Sequence, residues 1–275
     1  MAEQIDAVRV LLVGAAGKMG LEVVKALTTT QDLKLVAGVS PRHAGQDTGV
    51  LAGIGSSGVL VDADLEEAIQ RTSPDVLVDF TNPAAVYAVA QTAIRLGVRP
   101  VIGSTGLSAE QVSHLTHLCA RAGLGGVLAP NFSLGAILLM AFAKQAARYF
   151  EFAEIIEKHH ERKLDAPSGT ALSTAEALGQ VRKNFNPGLP DSRELLAGVR
   201  GGQVDGVRIH SVRMPGLLAH QEVLFGAEGQ LLTLRHDATH RACYIPGVCL
   251  AIRAVMRQNT LIVGLENLLF EDSRT

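Results

Sequence analysis

The sequence lacks several things, and each absence narrows what the chain can be. It has no surplus of either charge: 25 lysines and arginines stand against 27 aspartates and glutamates. That balance gives no global attraction to nucleic acid or to an anionic membrane, so any anion must be bound locally. It is poor in cysteine. Cys119, Cys243 and Cys249 are odd in number and lie in apolar surroundings, which reads as buried thiols of a reducing compartment and not a disulfide framework. No long hydrophobic run is present either, since the longest, Leu134 to Ala143, is about half a membrane span. Met1 to Asp6 carries no positive charge ahead of an apolar stretch, which argues against a secretory signal. Together these absences predict a cytoplasmic protein with no membrane and no nucleic-acid partner.

What is there describes a globular enzyme-sized chain. With 275 residues and 47% hydrophobic content, it is long enough for two domains and a substantial core. Val8 to Val13 is apolar on both faces, as a central parallel strand should be. It runs into Gly14-Ala15-Ala16-Gly17-Lys18-Met19-Gly20, then a predicted helix from Leu21 to Leu27 and a second strand from Lys34 to Val39. The spacing G-x-x-G-x-x-G is a close variant of the dinucleotide-binding fingerprint, whose tight turn presents a helix N-terminus to pyrophosphate. Alone the glycines say little; the order of strand, glycines, helix and strand gives them weight. An acidic residue normally closes the second strand and takes the adenosine ribose hydroxyls. Here Ser40-Pro41-Arg42-His43 follows instead. Ser40, Arg42 and His43, with Lys18, suit a 2′-phosphate, so NADPH is preferred and NADH is possible. The bland alternative is that Arg42 and His43 point to water.

Further strands are predicted at 59–61, 74–81, 98–102 and 126–129, with helices at 64–71, 83–96 and 108–122 and a loop from Gly45 to Gly58. In a doubly wound sheet, ligands lie outside the carboxyl ends of the strands. Three such ends, Gly14 to Gly20, Phe80-Thr81 and Gly103-Ser104-Thr105-Gly106, are polar or glycine-rich.

Pro130-Asn131-Phe132-Ser133 breaks this alternation. A helix is predicted from Leu134 to Tyr149 and a strand from Phe152 to Ile156. The strand empties into Glu157-Lys158-His159-His160-Glu161-Arg162-Lys163-Leu164-Asp165-Ala166-Pro167-Ser168-Gly169-Thr170. Pro167 stops regular structure, and Ser168 or Thr170 suits the N-cap of an alanine-rich helix at 171–183. A helix start is an anion site, and His159, His160 and Lys163 are candidate proton carriers just ahead of it. Against this stands an ordinary solvated loop with a simple cap. The adjacent histidines would face opposite sides of a regular strand. They lack both the i, i+4 spacing and the cysteine partners of familiar zinc sites, so no metal is expected. An exposed loop is expected at 184–191. Strands at 206–213, 220–225 and 230–236, a helix at 246–256 and a closing apolar segment at 261–270 follow. The predicted fold is α/β: a Rossmann-like parallel-sheet domain from 1–130 with 243–275, and an α+β domain at 131–242. The second domain's mixed sheet has an uncovered face that suits pairing with copies of itself.

The pattern Glu157-x-His159-His160-x-x-Lys163-x-Asp165-x-Pro167-Ser168-Gly169-Thr170 closely resembles the signature of the dihydrodipicolinate reductase family. The resemblance extends to Gly14–Gly20, Gly45–Gly49, Asp79-Phe80-Thr81, Gly103–Gly106, Ala129-Pro130-Asn131-Phe132-Ser133 and His240-Arg241. It implies NAD(P)H-dependent reduction of a cyclic imine dicarboxylate to tetrahydrodipicolinate with loss of water, on the diaminopimelate route to lysine. It implies His159 as proton donor and Lys163 as a second acid/base or orienting group. His160, Ser168, Gly169 and Thr170 would hold a substrate carboxylate, with Arg241 as a further cation. By the same likeness, Gly14, Ala15, Ala16, Gly17, Lys18, Met19, Ser40, Arg42, Phe80, Thr81, Gly103, Ser104, Thr105, Ala129, Pro130, Asn131 and Phe132 would contact the cofactor. The second domain would assemble a homotetramer through its sheet. Two departures stand out: Ser104 where threonine is usual, and the missing acid after the second strand. The competing classes are a non-catalytic Rossmann binding protein and another nicotinamide-dependent reductase or semialdehyde dehydrogenase. The first has no need of the basic loop, and acyl-enzyme chemistry wants a catalytic cysteine.

Overall fold

Strands that are apolar on both faces must be covered on both faces. A computed structural model, which describes residues 6–188 and 193–270, meets that need with helices between parallel strands. In chain order the first elements are β1 (Val8–Val13), α1 (Lys18–Thr29), β2 (Leu33–Val39), α2 (Thr48–Ala52), β3 (Val61–Asp62), α3 (Leu65–Thr72), β4 (Val76–Asp79), α4 (Val86–Arg95), β5 (Arg99–Ile102), α5 (Ala109–Ala122) and β6 (Gly126–Leu128). Then come α6 (Leu134–Ala146), β7 (Phe152–His159), α7 (Gly169–Val181), β8 (Gly202–Val204), β9 (Val207–Arg213), β10 (Ala219–Ala227) and β11 (Gln230–Ala238). The last are α8 (Ile245–Val255), β12 (Leu261–Val263) and α9 (Glu266–Leu269). The chain divides into two compact units, one running to Phe132 and resuming at Tyr244, the other spanning Ser133–Cys243.

The first unit is a parallel sheet in the order β12-β6-β5-β4-β1-β2-β3. The direction of winding reverses at β1, which pairs with β2 on one side and β4 on the other. Leu11, Leu77 and Ile102 are wholly buried within it. Local signals fix the helix starts. Ser108 and Gln111 form a reciprocal capping box on α5, with Gln111 N donating to Ser108 Oγ at 3.2 Å and Ser108 N to Gln111 Oε1 at 2.9 Å. The closing apolar segment returns here as β12, which pairs with β6.

The second unit holds a mixed sheet in the order β11-β10-β7-β9-β8, in which β7 and β9 are parallel and the other neighbours antiparallel. One face is covered by α6 and α7, which bring Leu139, Ala143, Ala175 and Leu178 against Ala153, Ile155, Val223 and Phe225. On the other face Phe152 and Leu231 flank Gly226 in one row across the strands, exposed at 46% and 70%. Further along the same face lie ion pairs such as Lys158–Glu222 at 2.6 Å.

Several boundaries differ from expectation. The strand predicted to end at Ile156 continues to His159, because β10 pairs along its whole length and β9 from Glu154 to His159. β8 was not foreseen; two of its three residues are exposed, so it has no buried face to leave a periodic signal. The predicted loop at 184–191 falls partly outside the described residues. The predicted loop at 45–58 contains α2, organised by Asp47. That carboxylate accepts from Gly49 N (2.8 Å), Val50 N (3.0 Å), Ser57 N (3.0 Å) and Gly58 N (2.8 Å), and from the Ser56 hydroxyl (2.9 Å). One side chain thus caps a helix and gathers a loop. No described helix is long and apolar enough to cross a membrane.

Replacing Asp47 with alanine should raise amide hydrogen exchange at Gly49, Val50, Ser57 and Gly58 at least tenfold while β1 amides keep their protection. Unchanged exchange at those four amides would show that the loop is held by something else.

Candidate active site

In the first unit the turn after β1 is shaped by contacts that leave no room for side chains. Gly14 has φ +82°, and a Cβ there would lie 2.5 Å from the Phe80 carbonyl oxygen. A Cβ on Gly20 would lie 2.2 Å from the Gly14 carbonyl oxygen, so α1 packs directly on the turn. The start of α1 has Gly17 as N-cap, no side-chain cap and no acidic residue in its first turn. Its N–H groups and its dipole are therefore left for an anion supplied from outside the helix. Lys18 is exposed at the first helical position. At the end of β2, the Ser40 hydroxyl meets His43 Nδ1 at 3.2 Å, and Arg42 is exposed on a 3₁₀ turn at Pro41–His43.

The ends of β4, β5 and β6 carry the other predicted cofactor residues. The Phe80 ring packs over Gly103 and edge-on to Phe132, with ring centroids 5.9 Å apart. Asp79 is wholly buried beneath them. Its Oδ1 accepts from Thr81 Oγ1 at 2.7 Å and from Thr81 N at 3.3 Å. Burial raises its carboxyl above the usual carboxylate range, against the opposing pull of the Ser104 and Thr81 hydroxyls. The Ser104 hydroxyl is close enough to temper the shift, but neither it nor Asp79 Oδ2 completes a hydrogen bond among the described residues. Thr105 and Pro130 are exposed, Asn131 is half-buried and Ala129 is buried.

In the second unit the basic loop grows out of β7. Alternation along the strand puts Glu157 and His159 on the core-facing side, in line with Ile155. Glu157 is fully buried, yet both its oxygens are satisfied. His159 Nδ1 donates to Oε2 at 2.5 Å; Arg213 donates from Nη1 to Oε2 at 3.0 Å and from Nη2 to Oε1 at 2.7 Å. Ser168 N donates to Oε1 at 3.3 Å. Burial alone would raise this carboxyl, but hydrogen bonds from His159, Arg213 and Ser211 outweigh it and hold it at about 2. Arg213 Nη2 also donates to the Asp165 carbonyl at 2.7 Å, which ties the loop to β9.

His160 lies just past the strand, and its Nδ1 is buried with no hydrogen-bond partner among the described residues. Lys163 Nζ donates to both oxygens of Asp165, at 2.7 and 2.8 Å. That contact, chiefly the hydrogen bond from Lys163, holds the Asp165 carboxyl below the usual range against the opposing effect of burial. Ser168 is the N-cap of α7, its hydroxyl accepting from Ala171 N at 3.2 Å. Above Gly169, a Cβ would meet nothing within 4 Å. Arg241 opens a 3₁₀ turn (Arg241–Tyr244) at the end of this unit, outside the Glu157 network. Cys119 and Cys249 are buried, whereas Cys243 is only partly so, and all three thiols are free. Burial pushes the Cys119 thiol up to about 11, which suits a core residue and not a nucleophile.

Glu157 stands in the signature without a role, and Arg213 is a residue that motif reading passed over. Two signals for them exist in the sequence. A glutamate two positions before a histidine shares its face on a strand, and Val207, Ile209, Ser211 and Arg213 alternate so that an arginine falls on the buried side of β9.

Glu157 also sets an acid limit on stability. Its folded value of about 2 lies below the ordinary 4.5. The stabilisation is therefore present above about pH 4.5 and is lost as pH falls toward 2, a difference of roughly 3 kcal/mol. Urea unfolding followed from pH 5 down to pH 2.5 should show a shallower acid loss for Glu157→Gln than for the parent. Equal slopes would mean that other carboxylates set the limit.

Comparison with known proteins agrees with this geometry. The family model described as "Dihydrodipicolinate reductase, N-terminus" matches residues 8–132, and that described as "Dihydrodipicolinate reductase, C-terminus" matches residues 135–269. The chain is 49% identical over 274 residues to the 4-hydroxy-tetrahydrodipicolinate reductase of Picosynechococcus sp., covering 97% of this chain and 100% of that one. It is 50% identical over 266 residues to the enzyme of the same name from Moorella thermoacetica, covering 96% and 99%. A dipicolinate-bound dihydrodipicolinate reductase from Paenisporosarcina sp. TG-14 superposes with a TM-score of 0.85 at 44% identity, covering 95% of this chain and 99% of that structure. With both halves matched and the sequence shared along nearly its full length, the chain belongs to the dihydrodipicolinate reductase family.

Proposed function

We propose that this chain reduces 4-hydroxy-tetrahydrodipicolinate to tetrahydrodipicolinate on the diaminopimelate route to lysine. One NAD(P)H and one proton are consumed, and one NAD(P)⁺ and one water leave. The observation that carries the reading is His160 Nδ1, buried and without a hydrogen-bond partner among the described residues, in the loop that holds Lys163 and leads into α7. A buried polar atom that no described residue satisfies calls for a partner from outside them. The Paenisporosarcina relative is bound to dipicolinate, a dicarboxylate of the kind these groups suit.

A nicotinamide dinucleotide fits the first unit. The uncapped start of α1 at Gly14, Ala15, Ala16, Gly17, Lys18 and Met19 would hold its pyrophosphate. Phe80, Thr81, Gly103, Ser104, Thr105 and Ala129–Phe132 would hold its nicotinamide end. The buried Asp79 and Ser104 leave polar atoms there without partners among the described residues. When bound, the cofactor supplies a hydride. Ser40 and Arg42 stand where an acid would otherwise exclude a 2′-phosphate, so NADPH is favoured over NADH.

The remaining chemistry belongs to the second unit. His159 gives the proton that quenches the electron pair left on the ring, a role worth about 10²- to 10⁴-fold in rate. Lys163, ion-paired with Asp165, serves as a second acid/base or orienting group. His160, the Ser168-Gly169-Thr170 helix start and Arg241 bind the carboxylates, with open space over Gly169 for the approach. The enzyme works as a cytoplasmic homotetramer. Its subunits meet through the uncovered sheet face, where Phe152 and Leu231 form an exposed apolar row.

Purified protein should consume NADPH, followed by its ultraviolet absorbance, when given freshly generated substrate. Lys163→Ala should lower kcat by about 100-fold with NADPH affinity nearly intact; an unchanged kcat would remove Lys163 from the mechanism. Arg42→Ala should weaken NADPH binding about tenfold and NADH binding little. Equal losses for the two coenzymes would show that Arg42 does not read the 2′-phosphate.

A further inference from the structure

His159 does not stand alone on its strand. The carboxylate two residues earlier reaches its Nδ1 at 2.5 Å and is itself gripped on both oxygens by Arg213. We propose that Glu157, clamped by Arg213, is a positioning residue that keeps the Nδ1 proton of His159 in place and presents Nε2 as the atom that gives and regains the catalytic proton. This rests on the reading above, in which His159 is the proton donor.

The geometry leaves Glu157 little other freedom. It is fully buried and takes hydrogen bonds from three different elements: β7 through His159, β9 through Arg213, and the start of α7 through Ser168 N. An ionised carboxylate only accepts, so its contact with His159 requires a proton on Nδ1. Nε2 then points away from the carboxylate. A buried glutamate–arginine pair adds little to stability compared with apolar residues of the same volume. A pair whose carboxylate also holds an imidazole has a use beyond the fold. In each turnover Nε2 gives one proton to the ring that has taken up a hydride, and the neutral imidazole regains one from water. Throughout, the Glu157 carboxylate holds the Nδ1 proton and with it the orientation of the ring.

Charged and neutral groups flank His159 on its own strand, where His160 follows it, and on the elements packed against β7. Glu157 lies on its own strand; Arg213 and the neutral Ser211 lie on β9; Gln221, the register partner of Glu157 on β10, is neutral and donates to Thr174 Oγ1 at 2.8 Å. The loop brings Lys163 and Asp165 as a mutual ion pair, and α7 brings the positive end of its dipole at Ser168. Lys158 points to the opposite face and pairs with Glu222. Glu157 is the charged group that a hydrogen bond joins to His159.

The test uses the full-length enzyme with NADPH and substrate. Glu157→Gln should lower kcat at least tenfold with KM changed less than twofold. It should also move the limb on which kcat/KM falls with rising pH to lower pH by about one unit. Nitrogen-15 spectra of labelled histidine should show His159 protonated on Nδ1 in the parent and a tautomer mixture in Glu157→Gln. Glu157→Asp, which keeps the charge, should restore the position of that limb even where kcat stays low; it also serves as the reporter if the glutamine variant does not fold. An unmoved limb and unchanged His159 nitrogen shifts in a folded Glu157→Gln enzyme, or an Asp variant whose limb does not return, would overturn the clamp. His159→Gln separates the two levels: full kcat in that variant would sink the proton-donor reading itself, whatever Glu157 does.

Discussion

A negative charge shut away from water is the constraint on which the second unit turns. Taking a carboxylate out of solvent is unfavourable by several kcal/mol unless every lone pair finds a donor. Glu157 finds them on a neighbouring strand, on its own strand and at a helix start. Each donor is thereby fixed with respect to the others. The basic loop needs no rigid backbone of its own, because Arg213 also holds the Asp165 carbonyl. A flexible-looking sequence of charged residues is in this way pinned at its beginning by a strand and at its end by a capped helix.

The two units offer a negative group different physics. In the first, the recognition elements are backbone dipoles: an uncapped helix start on a turn so crowded that a methyl group has no space. Such a site carries little net charge and suits a ligand that also brings an extended neutral body. In the second, side chains with mobile protons gather near a helix start, which suits a small, strongly charged molecule on which chemistry is done. Asp79, raised by burial, belongs to the first pattern. It lies under the polar strand ends, where burial disfavours its charged form.

Much of this was legible in the residues. Strands with apolar character on both faces announced the parallel sheet, and a helix was expected over 108–122, where α5 runs. The glycines after β1 announced the turn, and the basic loop drew attention to itself by composition. What escaped depended on contacts distant in sequence. Nothing near Ile156 says that β7 continues to His159; that follows from pairing with two strands more than 40 residues away. Asp47 looked like a loop residue because its partners at 56–58 are invisible to local periodicity. Glu157 and Arg213 are 56 positions apart, and each alone reads as an ordinary surface charge. Their partnership is a property of the sheet, and only the register of β7 against β9 reveals it.

The return of the chain to its first sheet carries a consequence for how the molecule is made. β12 adds to the edge of β6, and α8 follows residue 244 in the same unit. Until those last segments emerge from the ribosome, β6 is a bare edge with unpaired amides and carbonyls. The inserted unit, whose strands and helices are contiguous, has everything it needs beforehand. Synthesis therefore completes the inserted module while the outer one still waits for β12, and a chain without β12 would carry a sticky sheet margin at β6.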